Sequence, residues 1–576
     1  MRWDGRYFRR EDGSRYVPLG LFSCYFPLSY VGEELAADSQ HGGDLMEFQH
    51  ATVGTWRKLF RFLSEEDGIN AVRMFPRGDS GGSAWEGLDV GGRVNLSLFE
   101  KIRAFMREAK SCGVGLQLCL FTEPECSFYC QKYTRTYWGT RFWSEEEIAA
   151  ASPAQRRFLE NPADLVSYDA FFTDPDVRTC CHLFLDELLP LLREIDGLYA
   201  VELFNESGWA SPHAVPPNTF RWEDTPGYLD WHRDMTEHVK RMLPEIPVTV
   251  SNPGVGLLGH DPIHWCREIR PDFFSLHTYP NIMGAPLRID YAAATDAVLA
   301  YTVALLPVMT GEWEALEIRR ASDPRYRELL PLLSRDMAWF TLLSGAPGCV
   351  SWMARGFGQY HAVKKIFSRL DGKPLTPSPA LLIDVRKAEE YFESLWKKGS
   401  ASCLYPDELW CPDRDATDGE HRFCVKAESR EWDMLLRVEE WSLAAGVPFA
   451  FTLSGENGAI PLEKATRRDF EAAAPFLLPS PGYRQKVLSA DGGSVRLIYL
   501  QNAELRTVRE NLREDGRALY SLRGRRAVDL TLRFTDPAFR VTLFDLDTGD
   551  ERECDPSRPL PLGVTDRDYL ILAEKK

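Results

Sequence analysis

Two glutamates that follow apolar runs are the residues of this sequence best suited to acid–base or nucleophilic chemistry. Glu206 closes the segment LYAVELFNE, directly after Asn205, and Glu312 lies in PVMTGEW. Two carboxylates about 5 to 5.5 Å apart can cleave a glycosidic bond with retention, one attacking the anomeric carbon and the other protonating the leaving oxygen. A plain strand end followed by a helix cap explains Asn205-Glu206 equally well, since both residue types suit turns. The choice between these interpretations depends on the elements that carry the two glutamates.

Eight short, apolar, β-rich runs alternate with segments of helical periodicity. They cover residues 17–26, 69–75, 114–121, 198–204, 247–251, 272–279, 307–313 and 348–354. Runs that are apolar throughout are typical of a parallel sheet that is covered on both faces. Eight such strand–helix units predict an α/β fold, a (β/α)8 TIM barrel enlarged by insertions. The longest insertion, 122–170, is rich in Tyr and Trp and predicts a lid or binding wall, or else a buttress or an oligomer contact.

The pattern changes after the eighth unit, so the sequence predicts three domains. Residues 1–395 form the catalytic barrel, with the helix in ALLIDVRKAEEYFESLWKK completing its wall. Residues 396–507 mix helical and strand patterns and predict a small, flavodoxin-like α/β domain, a candidate for oligomerisation. Residues 508–576 alternate polar and apolar residues between turn signals and predict a C-terminal antiparallel, β-sandwich-like domain.

In a (β/α)8 barrel the reacting groups lie where the strands end. Glu206 and Glu312 fall three strand–helix units apart and would face each other across the barrel opening. Each neighbouring candidate alone is explained by an ion pair or by core packing, but together they favour a sugar site. In that site Asn205 would bind the sugar 2-hydroxyl, His277 would orient the acid, Arg73 and Tyr279 would keep the nucleophile ionised, and Trp352 would stack under the sugar, with Trp313 beside Glu312.

The combination VRMF, LFNES, LHTYP, TGEWEA and SWMARG resembles the clan A retaining glycoside hydrolases, most closely glycoside hydrolase family five. The resemblance covers roughly residues 1–395 and implies that Glu206 is the acid/base and Glu312 the nucleophile. The chain departs from the family after the third strand, where a His is usual and this sequence reads LFTEPEC. Glu123 or a residue of the 122–170 insertion would take the place of that His.

Two weaker resemblances concern the domain order and the substrate. The order of domains is similar to that of family 42 β-galactosidases, whose middle domain forms trimers, which implies a homo-oligomer, a dimer or trimer, through residues 396–507. The opening WDGRYFRREDGSRYVPLG is similar to a cytoplasmic, β-mannosidase-like subgroup of family five. It implies β-mannosides as substrates, such as mannosyl-β-1,4-N-acetylglucosamine or manno-oligosaccharides. The long aromatic insertion, which would close a cleft into a pocket, and a cytoplasmic setting favour exo action on short substrates over endo action on polymers. A β-galactosidase, a β-glucosidase or endo-glucanase of the same clan, a transglycosylase and a non-catalytic carbohydrate-binding protein stay open as alternatives.

The composition of the chain favours small, uncharged molecules as its binding partners. The net charge of −17 disfavours nucleic acid and anionic membranes as partners, and no apolar run has the length of a membrane span. The 13 Cys have no zinc spacing, and the N-terminus has no apolar signal core, so we expect reduced thiols, a cytoplasmic protein and neither metal nor cofactor. The strings RGDSGG (77–82) and PGVGLLG (253–259) resemble a protease loop and a dinucleotide loop, but neither has the required surroundings.

Overall fold

The computed structural model describes most of the elements that build the barrel and the two smaller units. The described residues are 1–23, 57, 60–66, 68–74, 96–121, 135–136, 139–140, 172–173, 175–205, 225–252, 267–278, 297, 299–303, 307–313, 324–351, 359–397, 430–502, 506–512, 518–523 and 525–576.

Eight parallel strands close into a barrel, which confirms the predicted (β/α)8 fold. They are β1 (Leu19–Ser23), β2 (Ala71–Met74), β3 (Gly115–Phe121), β4 (Leu198–Phe204), β5 (Val248–Asn252), β6 (Phe273–Thr278), β7 (Val308–Trp313) and β8 (Cys349–Ser351). Each strand pairs with the next in the chain, and β8 pairs with β1. All carboxyl ends therefore point to the same face of the barrel.

Amphipathic helices cover the outside of the barrel. The barrel segment contains α1 (Leu96–Ser111), α2 (Pro175–Leu192), α3 (Thr225–Met242), α4 (Pro324–Leu343) and α5 (Gln359–Arg369). In α1 the apolar residues Phe99, Ile102 and Met106 recur at three- and four-residue spacing and are buried. Gly113 ends this helix with a φ of 74°, and the N–H of Val114 donates to the carbonyl of Ala109, which turns the chain into β3.

A small antiparallel sheet of Arg2–Trp3, Phe8–Arg9 and Arg15–Tyr16 lies against the amino-terminal end of the barrel. Its Phe8 is completely buried and packs edge-on against Tyr199 and Phe273, which belong to barrel strands. These residues belong to a separate apolar cluster that fills the amino-terminal end of the barrel. Its members are Phe8, Tyr16, Ala71, Cys119, Tyr199, Ala200, Phe273, Met309 and Val350. We call this cluster the barrel floor.

The second unit is a parallel sheet with helices, as predicted, but one of its strands comes from the predicted barrel wall. Strand β9 (Leu381–Asp384) pairs in parallel with β10 (Phe449–Thr452) on one side and β11 (Ile460–Pro461) on the other. The helices of this region are α6 (Arg386–Lys397), α7 (Arg430–Ala445) and α8 (Arg467–Ala472). The first residues of ALLIDVRKAEEYFESLWKK are thus a strand, because their partner β10 lies more than sixty residues further along the chain, beyond the reach of local periodicity.

The C-terminal unit is antiparallel, as predicted, and it also takes in two strands from the predicted middle domain. These are β12 (Tyr483–Ala490) and β13 (Val495–Asn502). They join β17 (Phe539–Asp545), β18 (Glu551–Cys554) and β20 (Tyr569–Lys575) in one sheet of order β12-β13-β20-β17-β18. Two further pairs are β14 (Arg506–Leu512) with β15 (Ala518–Arg523) and β16 (Val528–Leu532) with β19 (Leu560–Thr565). The boundaries at 395/396 and 507/508 themselves stay predictions.

None of the helices in the described part of the chain is long and apolar enough to cross a membrane.

Candidate active site

A buried cluster of charged side chains lies above the barrel floor, with Arg73 of β2 at its centre. Its guanidinium donates from Nε and Nη2 to the two carboxylate oxygens of Glu202, both at 2.6 Å. Nη1 donates to Oε1 of Glu312 at 2.6 Å, and Nη2 also donates to Oδ1 of Asn205 at 2.7 Å. Arg73 therefore joins two other predicted site residues, Asn205 and Glu312, although the three lie on or directly after three different strands.

Glu312 points into the barrel because β7 contains a β-bulge. Leu276 of β6 pairs with Thr310, but His277 pairs with Glu312, so that Gly311 is an extra residue on β7. Met309 points into the barrel, where it belongs to the barrel floor. Because side chains alternate along a regular strand, Glu312, three residues later, would point outward if β7 had no extra residue. The bulge reverses the alternation and directs the carboxylate to Arg73.

The inserted residue has to be small. A Cβ on Gly311 would lie 1.9 Å from Oγ of Ser275 and 2.9 Å from Nε2 of His277. Real Cβ atoms do not approach other atoms so closely, so the bulge packs against β6 only when this position lacks a side chain.

Glu202 is a central member of the cluster that the sequence interpretation missed. It is completely buried on β4, and Nε2 of Gln117 on β3 donates to its Oε2 at 2.8 Å. The pairing of β3 with β4 contains a second register shift. Leu116 pairs with Leu198 but Gln117 pairs with Ala200, so that Tyr199 is an extra residue on β4. The signal was present in the sequence: an acid inside the apolar run LYAVELF requires a buried partner, since Glu is almost never fully buried unless paired.

Asn205 directly follows β4 and marks the upper end of the cluster. Its backbone N–H donates to the carbonyl of Phe121 at the end of β3, at 3.1 Å. Its side-chain oxygen accepts from Arg73, so that the amide NH₂ is the group left for another acceptor. Glu206, the next residue in the sequence and the predicted acid/base, lies outside the described residues.

His277 lies beside the predicted nucleophile. Its Nδ1 is 3.5 Å from Oε2 of Glu312, and the ring is completely buried. Burial, together with the neighbouring Arg73 charge, holds the pKa of His277 well below its usual value, so the ring is neutral. The sequence interpretation gave His277 the task of orienting the acid Glu206, and that contact would lie outside the described residues.

Among the side chains that the structure describes, the cluster holds one cation, Arg73, between the carboxylates of Glu202 and Glu312. Burial alone would lower the pKa of Arg73, but the carboxylates of Glu202 and Glu312 outweigh that effect and raise it above its already high usual value. Glu312 is only 2% exposed and Arg73 not at all. Because Arg73 remains charged, its bond to Glu312 at 2.6 Å favours the ionised form of that carboxylate.

The other predicted site residues are not placed by the structure. Trp313 ends β7, but its side chain is not described, and Glu123, Tyr279 and Trp352 lie outside the described residues. Within the described ranges no group of three or more His, Cys, Asp or Glu side chains could hold a metal ion. A cavity of about 480 Å³ lies at the opposite, amino-terminal end of the barrel, against the second unit, and its lining includes Arg6, Pro307 and Phe449 but no residue of the cluster.

Comparisons with known proteins give matches among solved structures only. No family model and no curated protein matches the chain. Among solved structures, a β-galactosidase from Bacillus circulans sp. alkalophilus is similar over 97% of this chain and 99% of that chain, with a TM-score of 0.52 and 10% identity. An exo-β-1,4-mannosidase from Opitutaceae bacterium strain TAV5 covers 98% of this chain and 94% of its own, with a TM-score of 0.43 and 16% identity. GH5_18 from Streptomyces cattleya in complex with GlcNAc covers 78% and 100%, with a TM-score of 0.46 and 15% identity. The similarity to this β-galactosidase shows that the two chains share their fold.

Proposed function

We propose that this protein is a retaining β-glycosidase that removes single sugars from the non-reducing end of short β-linked oligosaccharides, with β-mannosides as its substrates. The observation that carries this proposal is the bond between Arg73 and Glu312. A carboxylate at the carboxyl end of β7 is turned into the barrel by a bulge and held by a permanent cation at 2.6 Å. A buried, oriented and ionised carboxylate is what a covalent glycosyl intermediate requires.

The reaction is a double displacement. An oxygen of Glu312 attacks the anomeric carbon, the bond from this carbon to the glycosidic oxygen breaks, and Glu206 gives its proton to the departing oxygen. Water then loses a proton to Glu206 and attacks the same carbon, and the ester bond to Glu312 breaks. The proton and the carboxylate are both restored, so the cycle needs neither metal nor cofactor.

The neighbouring residues have supporting tasks in this scheme. The amide NH₂ of Asn205 would donate to the sugar 2-hydroxyl, a contact that strengthens in the transition state of such reactions. The neutral ring of His277 would contact Glu312 without adding a second cation to the cluster. Tyr279, Trp313, Trp352 and Glu123 would complete the sugar site.

The choice of β-mannosides follows from the sequence resemblance of the opening segment to the β-mannosidase-like subgroup of family five. The same resemblance supports a cytoplasmic location. The resemblance of the domain order to that of family 42 β-galactosidases supports a homo-oligomer formed through residues 396–507. Light scattering on the full chain during size-exclusion chromatography tests the oligomer, and a monomer at micromolar concentration would contradict it.

Turnover of aryl β-glycosides in manno, gluco and galacto configurations tests the function. We expect the manno compound to be hydrolysed with the β-anomer as first product, visible by NMR. Glu312→Gln should abolish turnover, since a neutral amide cannot form the intermediate. Glu206→Ala should retain release of a good aryl leaving group and recover with added azide, which needs no general base.

A matched control is Glu439→Gln, which neutralises another completely buried carboxylate, on α7 and away from the cluster. This variant should hydrolyse the substrate at the wild-type rate. Inactivity of the wild type toward all three configurations, or release of the α-anomer, would refute the proposal. A preference for the galacto or gluco compound over the manno compound would leave the retaining mechanism in place and contradict only the choice of β-mannosides as substrates.

A further inference from the structure

We infer that Glu202 is a positioning residue that fixes Arg73 and sets how strongly Arg73 acts on Glu312. This inference rests on the proposed function and adds to it a residue that does not touch the substrate. It is carried by the geometry of the hydrogen bonds, by the burial of the cluster and by its charge count.

The guanidinium is oriented by Glu202 rather than by the proposed nucleophile. Glu202 takes two parallel bonds, from Nε and Nη2, whereas Glu312 takes one, from Nη1. Two parallel N–H···O bonds fix the plane of the guanidinium, while a single bond allows rotation. Glu202 is itself held by Gln117, so the orientation passes from β3 and β4 through Arg73 to Glu312.

Among the described residues, two carboxylates, Glu202 and Glu312, share the charge of Arg73. All three groups are almost completely excluded from water, so the charges act on one another with little screening. The negative charge of Glu202 therefore weakens the electrostatic stabilisation of Glu312 by Arg73. Glu312 is a better nucleophile than it would be if Arg73 contacted it alone. Without the Glu202 charge, Arg73 would stabilise ionised Glu312 more strongly, which disfavours the attack on the anomeric carbon.

Two variants separate the charge of Glu202 from its geometry. Glu202→Gln keeps the shape and removes the charge, so the acid limb of the pH profile of kcat/KM should move down by about one pH unit, because a like charge near Glu312 has gone. Its kcat/KM at the optimum should fall by about 100-fold, since the guanidinium is no longer fixed. Glu202→Asp keeps the charge on a shorter side chain and should lower kcat/KM while leaving the acid limb in place.

The control is again Glu439→Gln, because Glu439 is as buried as Glu202 and is paired with the cation Lys486 at 3.2 Å. It should lower the thermal transition comparably without moving the acid limb. If Glu202→Gln does not fold, Gln117→Met removes the bond to Glu202 and should lower kcat/KM about tenfold at unchanged KM.

The outcomes distinguish this inference from the proposed function. An inactive wild type would refute the proposed function itself. An active wild type with an unmoved acid limb in Glu202→Gln, after correction for folded enzyme, would show that Glu202 is only structural. Where Glu202→Gln is not obtained folded, wild-type kcat/KM in Gln117→Met would overturn the inference.

Discussion

Replacement of Gly311 by Ala tests whether the bulge in β7 builds the site. The added Cβ would lie 1.9 Å from Oγ of Ser275, where ordinary contacts begin at 3.4 Å. The hydroxyl therefore has to move by roughly 1.5 Å inside a closely packed barrel. The ring of His277, at 2.9 Å, has to give way as well.

The size of the effect follows from this overlap. Adding one methyl group to a packed core costs about 1–3 kcal/mol of unfolding free energy. Because Glu312 is the next residue, we also expect a loss of at least about tenfold in kcat/KM, since small displacements of a reacting group are costly. The φ of Gly311 is not in the positive range, so contact rather than backbone strain is the cause.

A double-mutant cycle with Ser275→Ala provides the assay. Oγ of Ser275 is buried and has no hydrogen-bond partner among the residues that the structure describes, so Ser275→Ala alone should change the unfolding free energy by less than about 1 kcal/mol. In the double variant the 1.9 Å overlap is gone, and we expect a favourable coupling of about 1–2 kcal/mol by thermal unfolding. Gly311→Ala with wild-type stability and activity, or a double variant with no recovery, would refute the close packing of β7 on β6.

Three further predictions concern buried polar groups. Arg73→Leu leaves two buried carboxylates without their cation and should cost about 3–5 kcal/mol of unfolding free energy. Arg73→Lys keeps the charge but loses the paired N–H donors of the guanidinium, so it should be more stable than Arg73→Leu and remain nearly inactive, and equal stability of the two variants would contradict this. Burial lowers the pKa of His232 to about 3, whereas the unfolded chain binds this proton below about pH 6.5, so the folded protein loses stability as the pH falls. Wild type should therefore lose about 2 kcal/mol more unfolding free energy between pH 7 and pH 5 than His232→Phe. An identical pH dependence of the unfolding midpoint in the two proteins would exclude the effect. Asp336 of α4 accepts bonds from Tyr499 and Gln501 of β13, so Asp336→Ala should lower stability by about 2–4 kcal/mol in thermal unfolding at unchanged kcat/KM, and a change in kcat/KM of the folded variant would show that this contact reaches the site.

The sequence predicted the barrel because its strands are apolar on both faces, a local property that needs no knowledge of partners. It also placed Arg73, Asn205 and Glu312 at strand ends, and since parallel strands of one barrel end at one face, these three side chains meet there. The roles of Glu206, Tyr279, Trp352, Trp313 and Glu123 stay predictions.

Pairing between distant segments decided the rest. Strand β9 pairs with β10 and strand β13 pairs with β20, in each case more than sixty residues further along the chain, which no window of periodicity includes. The inward direction of Glu312 depends on one unpaired residue in β7, which exists only relative to the register of β6. Glu202 was visible in the sequence as an acid in an apolar strand, but its partner Arg73 is brought to it from 129 residues earlier by the closing of the barrel. Periodicity reports which residues lie along one element, whereas the chemistry here depends on how neighbouring elements are aligned.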